Sequence, residues 1–243
     1  MVNGPASDIY DSDYIEALFD EMSGSYERVN YITSFGFSAR WRKQLVRRLP
    51  IQEGQVVADL MTGMGECWAP IMKLIGNSGK LIALDLSEGM LRFARQRMVK
   101  YPGANIALLK ENLFSNSIPD ASVDAVISGF GMKTFSEAQF AAFATEVQRI
   151  LKPGGYLSLV DVSVPSFAPL KWPYMFYLKR MIPLLGWTFL GNAENYRMLG
   201  IYSQQFGNSR KVMDSFQSAG FEVEYVSYFF GCASGFIGRK LPS

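Results

Sequence analysis

Read for the spacing of its apolar residues, the chain changes character at about residue 55. Beyond that point short runs of aliphatic and β-branched residues stand at 56–60, 80–84, 106–109, 123–128 and 156–160. Longer stretches at 66–75, 88–101 and 137–151 lie between them, the last two with apolar residues at helical spacing. The runs predict strands and the stretches predict helices. Ser87 and Ser136 stand where N-caps belong, just ahead of Glu88 and Glu137, and Pro153-Gly154-Gly155 predicts a helix stop. Strand alternating with helix calls for right-handed crossovers and hence a doubly wound, mostly parallel α/β sheet of Rossmann-like type. Two last runs, 221–230 and 231–237, predict a terminal pair of strands, the final one antiparallel. The expected organisation is an N-terminal helical extension at 1–54 and one α/β domain at 55–243, carrying an insertion at about 165–206.

Composition narrows the chemistry. With 49% hydrophobic and 19% charged residues over 243 positions, the chain is core-forming and holds one large domain or two small ones. It contains no histidine, which excludes Ser-His and Cys-His nucleophile systems, histidine-ligated metal sites and an imidazole base. Two cysteines, Cys67 and Cys232, cannot build a zinc cage and argue against a secreted disulfide scaffold. No metal is expected. A net charge of only +2 predicts no nucleic-acid partner. The charge is unevenly placed: seven acids and no base precede Arg28, and then Arg40, Arg42, Lys43, Arg47 and Arg48 crowd into nine residues. That basic run reads either as a solvated helix face or as a contact for anionic lipid head groups. The acidic opening is unlike a signal peptide, and no uncharged apolar run of about 18 residues is present. A cytoplasmic location is expected, at most at a membrane surface.

The first strand runs into Asp59-Leu60-Met61-Thr62-Gly63-Met64-Gly65-Glu66. Glycines at 63 and 65 allow a sharp turn and a close ligand approach at the mouth of a helix. Twenty residues after Gly65 the second strand ends at Asp85, placed to accept hydrogen bonds from ribose hydroxyls, with Leu86 beside it. A dinucleotide site would want a third glycine at 68, where Trp68 stands, and Glu66 puts negative charge where a pyrophosphate would lie. Both features favour a phosphate-free nucleoside with a positive centre, of which S-adenosylmethionine is an example. Asn112, after the third strand, can bond an adenine amino group while Leu113 packs on the ring. Equally, Asn112 can be a simple turn residue.

On these residues and others the chain resembles the ubiquinone/menaquinone-biosynthesis C-methyltransferases, class I enzymes dependent on S-adenosylmethionine. The resemblance runs from about Tyr26 to Leu241. It rests on Tyr26-x-x-x-Asn30-x-x-x-Ser34-Phe35-Gly36 with Trp41-Arg42, on Asp59-Leu60 with Gly63-x-Gly65, and on Asp85 with Glu88-x-Met90-Leu91. Further matches are Phe130-Gly131-Met132, Leu151-Lys152-Pro153-Gly154-Gly155, Tyr196-Arg197 and Ala219-Gly220-Phe221. It implies methylation of a ring carbon on a prenylated hydroquinone, without a metal. The chain departs from the family where Lys133-Thr134 replace an Arg-Asn pair, Gly238-Arg239 a His-Arg pair, and Ser38 a histidine. The cofactor segments are kept in outline and the substrate-facing ones altered, which implies a related but different acceptor. Another small phenol, an amine or a lipid head group is the alternative acceptor, and cofactor binding without transfer is the alternative activity.

A phenol-activated carbon needs its hydroxyl deprotonated or strongly hydrogen-bonded. Without histidine the candidates are Lys133, Arg197, Tyr26, Tyr196 and Asp161. Lys133 is expected to stay charged and stabilise the phenolate, because the matching family residue is an arginine; a base of lowered pKa is the other reading. Tyr26 and Asn30, one turn apart, either cap the substrate ring or pack the extension. The aromatic insertion, with Trp172, Tyr174, Phe176, Tyr177, Trp187 and Phe189, is either a self-packed lid or a cover for a long apolar substrate that touches the bilayer. The expected partners are a lipophilic small molecule and a membrane surface, with monomer and homodimer both open.

Overall fold

A computed structural model of the protein describes residues 9–182, 184 and 193–242. Seven strands form one sheet: β1 (Val56–Leu60), β2 (Lys80–Asp85), β3 (Asn105–Lys110), β4 (Val123–Gly129), β5 (Leu151–Val162), β6 (Phe221–Tyr228) and β7 (Ala233–Lys240). Their order is β3-β2-β1-β4-β5-β7-β6. The first five are parallel, and β7 is antiparallel to both β5 and β6. The central strands are buried along nearly their whole length, as continuous apolar runs predict for a sheet covered on both faces, whereas edge strand β3 is half-buried. Chain order reverses between β1 and β4, so the crevice beyond their carboxyl ends is where such a sheet takes its ligand.

Helices fall where spacing and caps put them. The Ser87 hydroxyl accepts from the Met90 amide at 3.0 Å and starts α5 (Glu88–Met98), which has Glu88 in its first turn and Arg95 and Arg97 in its last. Ser136 and Gln139 form a capping box on α6 (Glu137–Ile150). α6 stops just ahead of Pro153-Gly154-Gly155, as those residues predict. It ends at Ile150, and the triplet lies inside β5, where pairing with β4 jumps from Val123–Leu151 to Ala125–Tyr156. Residues 152–155 are carried out of the ladder: Pro153 has no amide proton to give, and Gly154 has φ +76°.

The helices ahead of residue 54 pack in two different places. In α3 (Phe37–Arg47) the side chains of Trp41, Leu45 and Val46 share one core with Val57, Trp68, Ile71, Ile127 and Val160, so α3 is part of a helical layer on the sheet. Helices α1 (Ser12–Met22) and α2 (Tyr26–Thr33) instead pack with α8 (Ala193–Phe206) from the insertion. Leu18, Met22, Tyr26 and Val29 meet Tyr196, Met198 and Tyr202 over Met64 and Met90. α4 (Trp68–Ile75) and α9 (Arg210–Ser218) complete the layers. The insertion opens with α7 (Ala168–Phe176), which continues as a π-helical turn (Tyr177–Met181). It is tied down by the Tyr177 hydroxyl, which donates to the Thr33 carbonyl at 2.7 Å, and by the Tyr174 hydroxyl, which donates to that of Cys232 at 3.0 Å. Trp187 and Phe189 lie outside the described residues.

Six non-glycine residues among those described have a left-handed backbone: Phe35, Met61, Ala121, Phe130, Phe229 and Phe230. Such conformations cost on the order of 1–3 kcal/mol each. All but Ala121 lie at the cavities described next or at their rim.

Candidate active site

Two cavities meet at the carboxyl end of the sheet. The first lies over β1 and β2. Asp59 ends up buried near the tip of β1, where its Oδ2 accepts from the Thr62 hydroxyl at 2.5 Å; the Trp68 indole in turn donates to that hydroxyl at 2.8 Å. Burial, against the lowering effect of Thr62, pushes the Asp59 carboxyl up to about 7. Asp85 closes β2. It accepts from the Gly63 amide at 2.7 Å and the Ser87 amide at 3.0 Å, yet burial still raises it to about 6. Gly63, Leu86, Asn112 and Leu113 border the same cavity. Gly65 does not. Its φ of +81° and its closeness to Trp68, whose ring would lie 2.6 Å from an added Cβ, make it a packing glycine rather than one that a ligand approaches.

Asn112 serves its turn, taking the Phe114 amide at 2.9 Å on its side-chain oxygen, and also donates to the Ser12 hydroxyl of α1 at 3.0 Å. Tyr10, Ser12, Ile15 and Phe19 accordingly roof the cavity. Asp20 holds the roof in place by accepting from the Ser87 hydroxyl at 2.5 Å and the Gly89 amide at 2.8 Å, at the positive end of α5.

Charge in this cavity is lopsided: Asp59, Glu66, Asp85 and Glu111 face a single base, Arg42. Arg42 is itself spent on Glu66 at 3.2 Å. A pyrophosphate would meet repulsion there. A nucleoside with cationic groups would meet attraction, and Leu113, Met61 and Phe114 offer apolar surface to its base. The residues fit S-adenosylmethionine.

The second cavity, about 470 Å³, runs from Lys133 outward between α2, α3 and α7. Lys133 is 4% exposed. Its Nζ donates to Asp161 Oδ1 at 3.1 Å and to the Phe130 carbonyl at 2.5 Å, while its amide donates to Asp161 Oδ2 at 2.9 Å. Tyr26, Asn30 and Tyr196 line the same cavity. Burial, with the nearby Glu66 charge, pushes the Tyr26 phenol up to about 12. Tyr196, also raised by burial, shares a 2.8 Å hydrogen bond with the Ser25 hydroxyl. Arg197 is exposed on α8 and borders neither cavity, so the structure separates it from Lys133, Tyr26 and Tyr196.

Tyr26, Arg42 and Phe130 border both cavities and form the wall between them. Phe130, at φ +75°, lies with its ring centroid 4.7 Å from the Arg42 guanidinium carbon. Arg42 has a signal that the reading of a basic run overlooks. Ser38, Trp41, Arg42, Leu45 and Val46 form the buried face of α3, so phase sets Arg42 apart from its exposed neighbours Arg40, Lys43 and Arg47. Phe130 gives no such signal, because a left-handed phenylalanine is a tertiary outcome.

The sheet order, the acidic nucleoside cavity and its location define a class I methyltransferase fold. Comparison with known proteins makes this specific. Residues 8–240 match the model of the ubiE/COQ5 methyltransferase family. The demethylmenaquinone methyltransferase of Listeria welshimeri is 30% identical over 93% of this chain and 95% of its own length. That of Geobacillus stearothermophilus is 30% identical over 93% and 96%. A SAM-dependent methyltransferase structure from Aquifex aeolicus shares the fold at TM-score 0.59 and 22% identity, covering 82% of this chain and 89% of its own. The chain belongs to the ubiE/COQ5 methyltransferase family and is an S-adenosyl-L-methionine-dependent methyltransferase. Among the described residues no helix is long and apolar enough to cross a membrane.

Proposed function

We propose that the protein methylates a ring carbon of a lipophilic hydroquinone-like acceptor. The observation that carries this reading is the pairing of an acidic nucleoside cavity with a long aromatic one across the single wall of Tyr26, Arg42 and Phe130, with a buried ammonium on the acceptor side. The curated relatives are named for a quinone substrate, which supports the same acceptor class.

In the cofactor cavity Asp85 receives the ribose hydroxyls, Asn112 and Leu113 flank the base, and Gly63 leaves room for the backbone to approach. Asp59 and Glu66 supply the negative field that a cationic methyl donor needs. When bound, S-adenosyl-L-methionine supplies an electrophilic methyl group. The chain's task is then alignment and charge stabilisation. Holding two reactants in line is worth effective molarities of roughly 10⁵–10⁸ M. The Lys133 ammonium has three protons, two of them engaged by Asp161 and the Phe130 carbonyl, and the third is left for a phenolate oxygen. Tyr26 and Tyr196, both kept protonated by burial, donate hydrogen bonds or pack on the ring. Lys133 holds the phenolate charge and takes no proton: the hydroxyl proton leaves to solvent as the phenolate forms, and the ring C–H proton follows when the methylated ring regains aromaticity.

The test is incubation with isotopically labelled S-adenosyl-L-methionine and chemically reduced demethylated naphthoquinol and benzoquinol, with the product located by mass spectrometry and NMR. A methyl group on ring carbon is the expected result. Cofactor binding with no transfer to either quinol would move the acceptor to another phenol, an amine or a lipid head group, or remove transfer altogether.

A further inference from the structure

We propose that the aromatic rim of the second cavity is a docking surface for an anionic lipid bilayer, seating the cavity mouth on the membrane. That the acceptor enters there rests on the function proposed above; the docking itself does not.

Three segments meet around the mouth, and rings join them. Phe35, in the turn between α2 and α3, stacks on Tyr177 at 6.1 Å; Phe37 meets Phe229 at 4.8 Å. Phe229 meets Phe230 at 5.6 Å, and Phe230 reaches Phe167, just ahead of α7, at 5.9 Å. On the outer face of α7, Trp172 stacks on Phe176. These rings are strongly exposed: Phe35 is 79%, Trp172 75% and Phe230 66% accessible. Soluble surfaces seldom gather so much aromatic area in one place.

Backbone strain gives a second, independent observation. Phe35, Phe229 and Phe230 all sit at left-handed φ, between +42° and +56°. Glycine or asparagine would hold those turns without penalty. Strain is normally kept to bury a side chain or to shape a site; Phe35 and Phe229 do line the second cavity, yet their rings and that of Phe230 remain largely exposed. The fold thus holds three apolar rings outward at a cost, as a surface that meets something apolar would.

Charge identifies the receiver. The described stretches that carry the rim, 30–42, 162–182 and 226–232, hold five basic residues and no acid. Arg42 is buried against Glu66, whereas Arg40, Lys171 and Arg180 are exposed. Aromatic rings flanked by lysine and arginine, with no acid among them, match the interface of a membrane with anionic head groups. A second copy of the chain would bring the same positive field and be repelled.

The experiment is co-sedimentation with vesicles of phosphatidylcholine alone and of equal parts phosphatidylcholine and phosphatidylglycerol, at low and high salt. Wild type is expected on the mixed vesicles at low salt, with binding weakened by added salt. The variant Trp172→Gln/Phe230→Asn alters two exposed rings that line neither cavity. It should bind about tenfold more weakly and melt no lower than wild type, since asparagine accepts left-handed φ. Transfer to a short-tailed, water-soluble quinol should stay unchanged in this variant, and transfer to a long-tailed acceptor embedded in mixed vesicles should fall. Wild type left in the supernatant at low salt, or a variant bound as tightly as wild type, overturns the proposal. So does a concentration-dependent dimer in sedimentation velocity that the variant abolishes, which would make the rim a self-interface. The sedimentation arms need no methyl transfer, so they can fail while the proposed activity stands, and succeed if it falls.

Discussion

Lys133 and Asp161 form a buried ion pair: Nζ lies 3.1 Å from Oδ1, and the two side chains are 5% and 0% exposed. Asp161 also takes the amides of Lys133 and Val162, so one carboxylate fixes both the backbone and the charge of a residue that lines the second cavity. Removing the lysine alone strands that carboxylate. Lys133→Met is therefore expected to lose about 3–5 kcal/mol of stability and Lys133→Met/Asp161→Asn to recover most of it, as chemical denaturation would measure. Turnover should fall about 10²–10³-fold in both, with cofactor affinity kept. Full turnover in the stable double variant removes Lys133 from the chemistry.

Asp59 and Asp85 make the protein pH-sensitive without a histidine. Their folded-state values, about 7 and about 6, lie above the ordinary carboxylate value, so the cofactor-free fold holds more protons than the unfolded chain between roughly pH 4 and 7. Its stability should decline as pH rises through that window. A cationic ligand favours the ionised carboxylates, so cofactor affinity should rise over the same window and binding should release protons. Calorimetry in buffers of different ionisation enthalpy measures both, and affinity that is flat from pH 5 to 8 refutes the assignment.

Gly131 and Met61 are matched in size. A Cβ at 131 would run into the Met61 side chain, and Met61 itself holds a left-handed φ of +56°. Gly131→Ala should cost about 1–3 kcal/mol, and adding Met61→Gly, which makes room and relieves the backbone, should restore stability. Thermal melts of the three variants decide this.

Asp20 is the fastening of the α1 roof. Asp20→Ala removes two hydrogen bonds and a carboxylate from the positive end of α5, and should cost about 1–2 kcal/mol. Stopped-flow measurements should show cofactor entering and leaving faster than in wild type. Unchanged rates would mean that α1 does not gate this cavity.

Much of this molecule is legible in its sequence, for identifiable reasons. β1, β2 and β4 are buried on both faces, so they read as unbroken apolar runs, and Ser87 and Ser136 mark helix starts by hydrogen bonds that form locally. Asp59, Gly63 and Asp85 lie near strand ends in the sheet, and topology alone gathers them. Lys133 follows β4, and its place at the carboxyl edge is legible in the same way. Its burial is not, because Asp161 lies 28 residues away and only the sheet brings the two together. Arg197 sits beside Tyr196 in sequence, but neighbours on a helix face different ways, and it is exposed where Tyr196 is buried. Gly65 is a glycine for Trp68's sake, a distinction that a loop motif does not carry. The triplet at 153–155 marks the end of α6 correctly but hides that β5 has already begun at Leu151, because proline and glycine punctuate bulges as readily as helix ends.

Tyr26, Arg42 and Phe130 belong to two cavities at once, so ligands on the two sides of that wall are thermodynamically linked wherever one of these side chains moves to receive either. A side chain that shifts to receive one of them changes the surface offered to the other. By linkage, whatever factor the donor adds to acceptor affinity the acceptor adds to donor affinity. Spent donor, which has lost both its methyl group and its sulfonium charge, speaks to that wall differently from fresh donor. Any such coupling would run through three side chains, with no rearrangement of the sheet or its helices required.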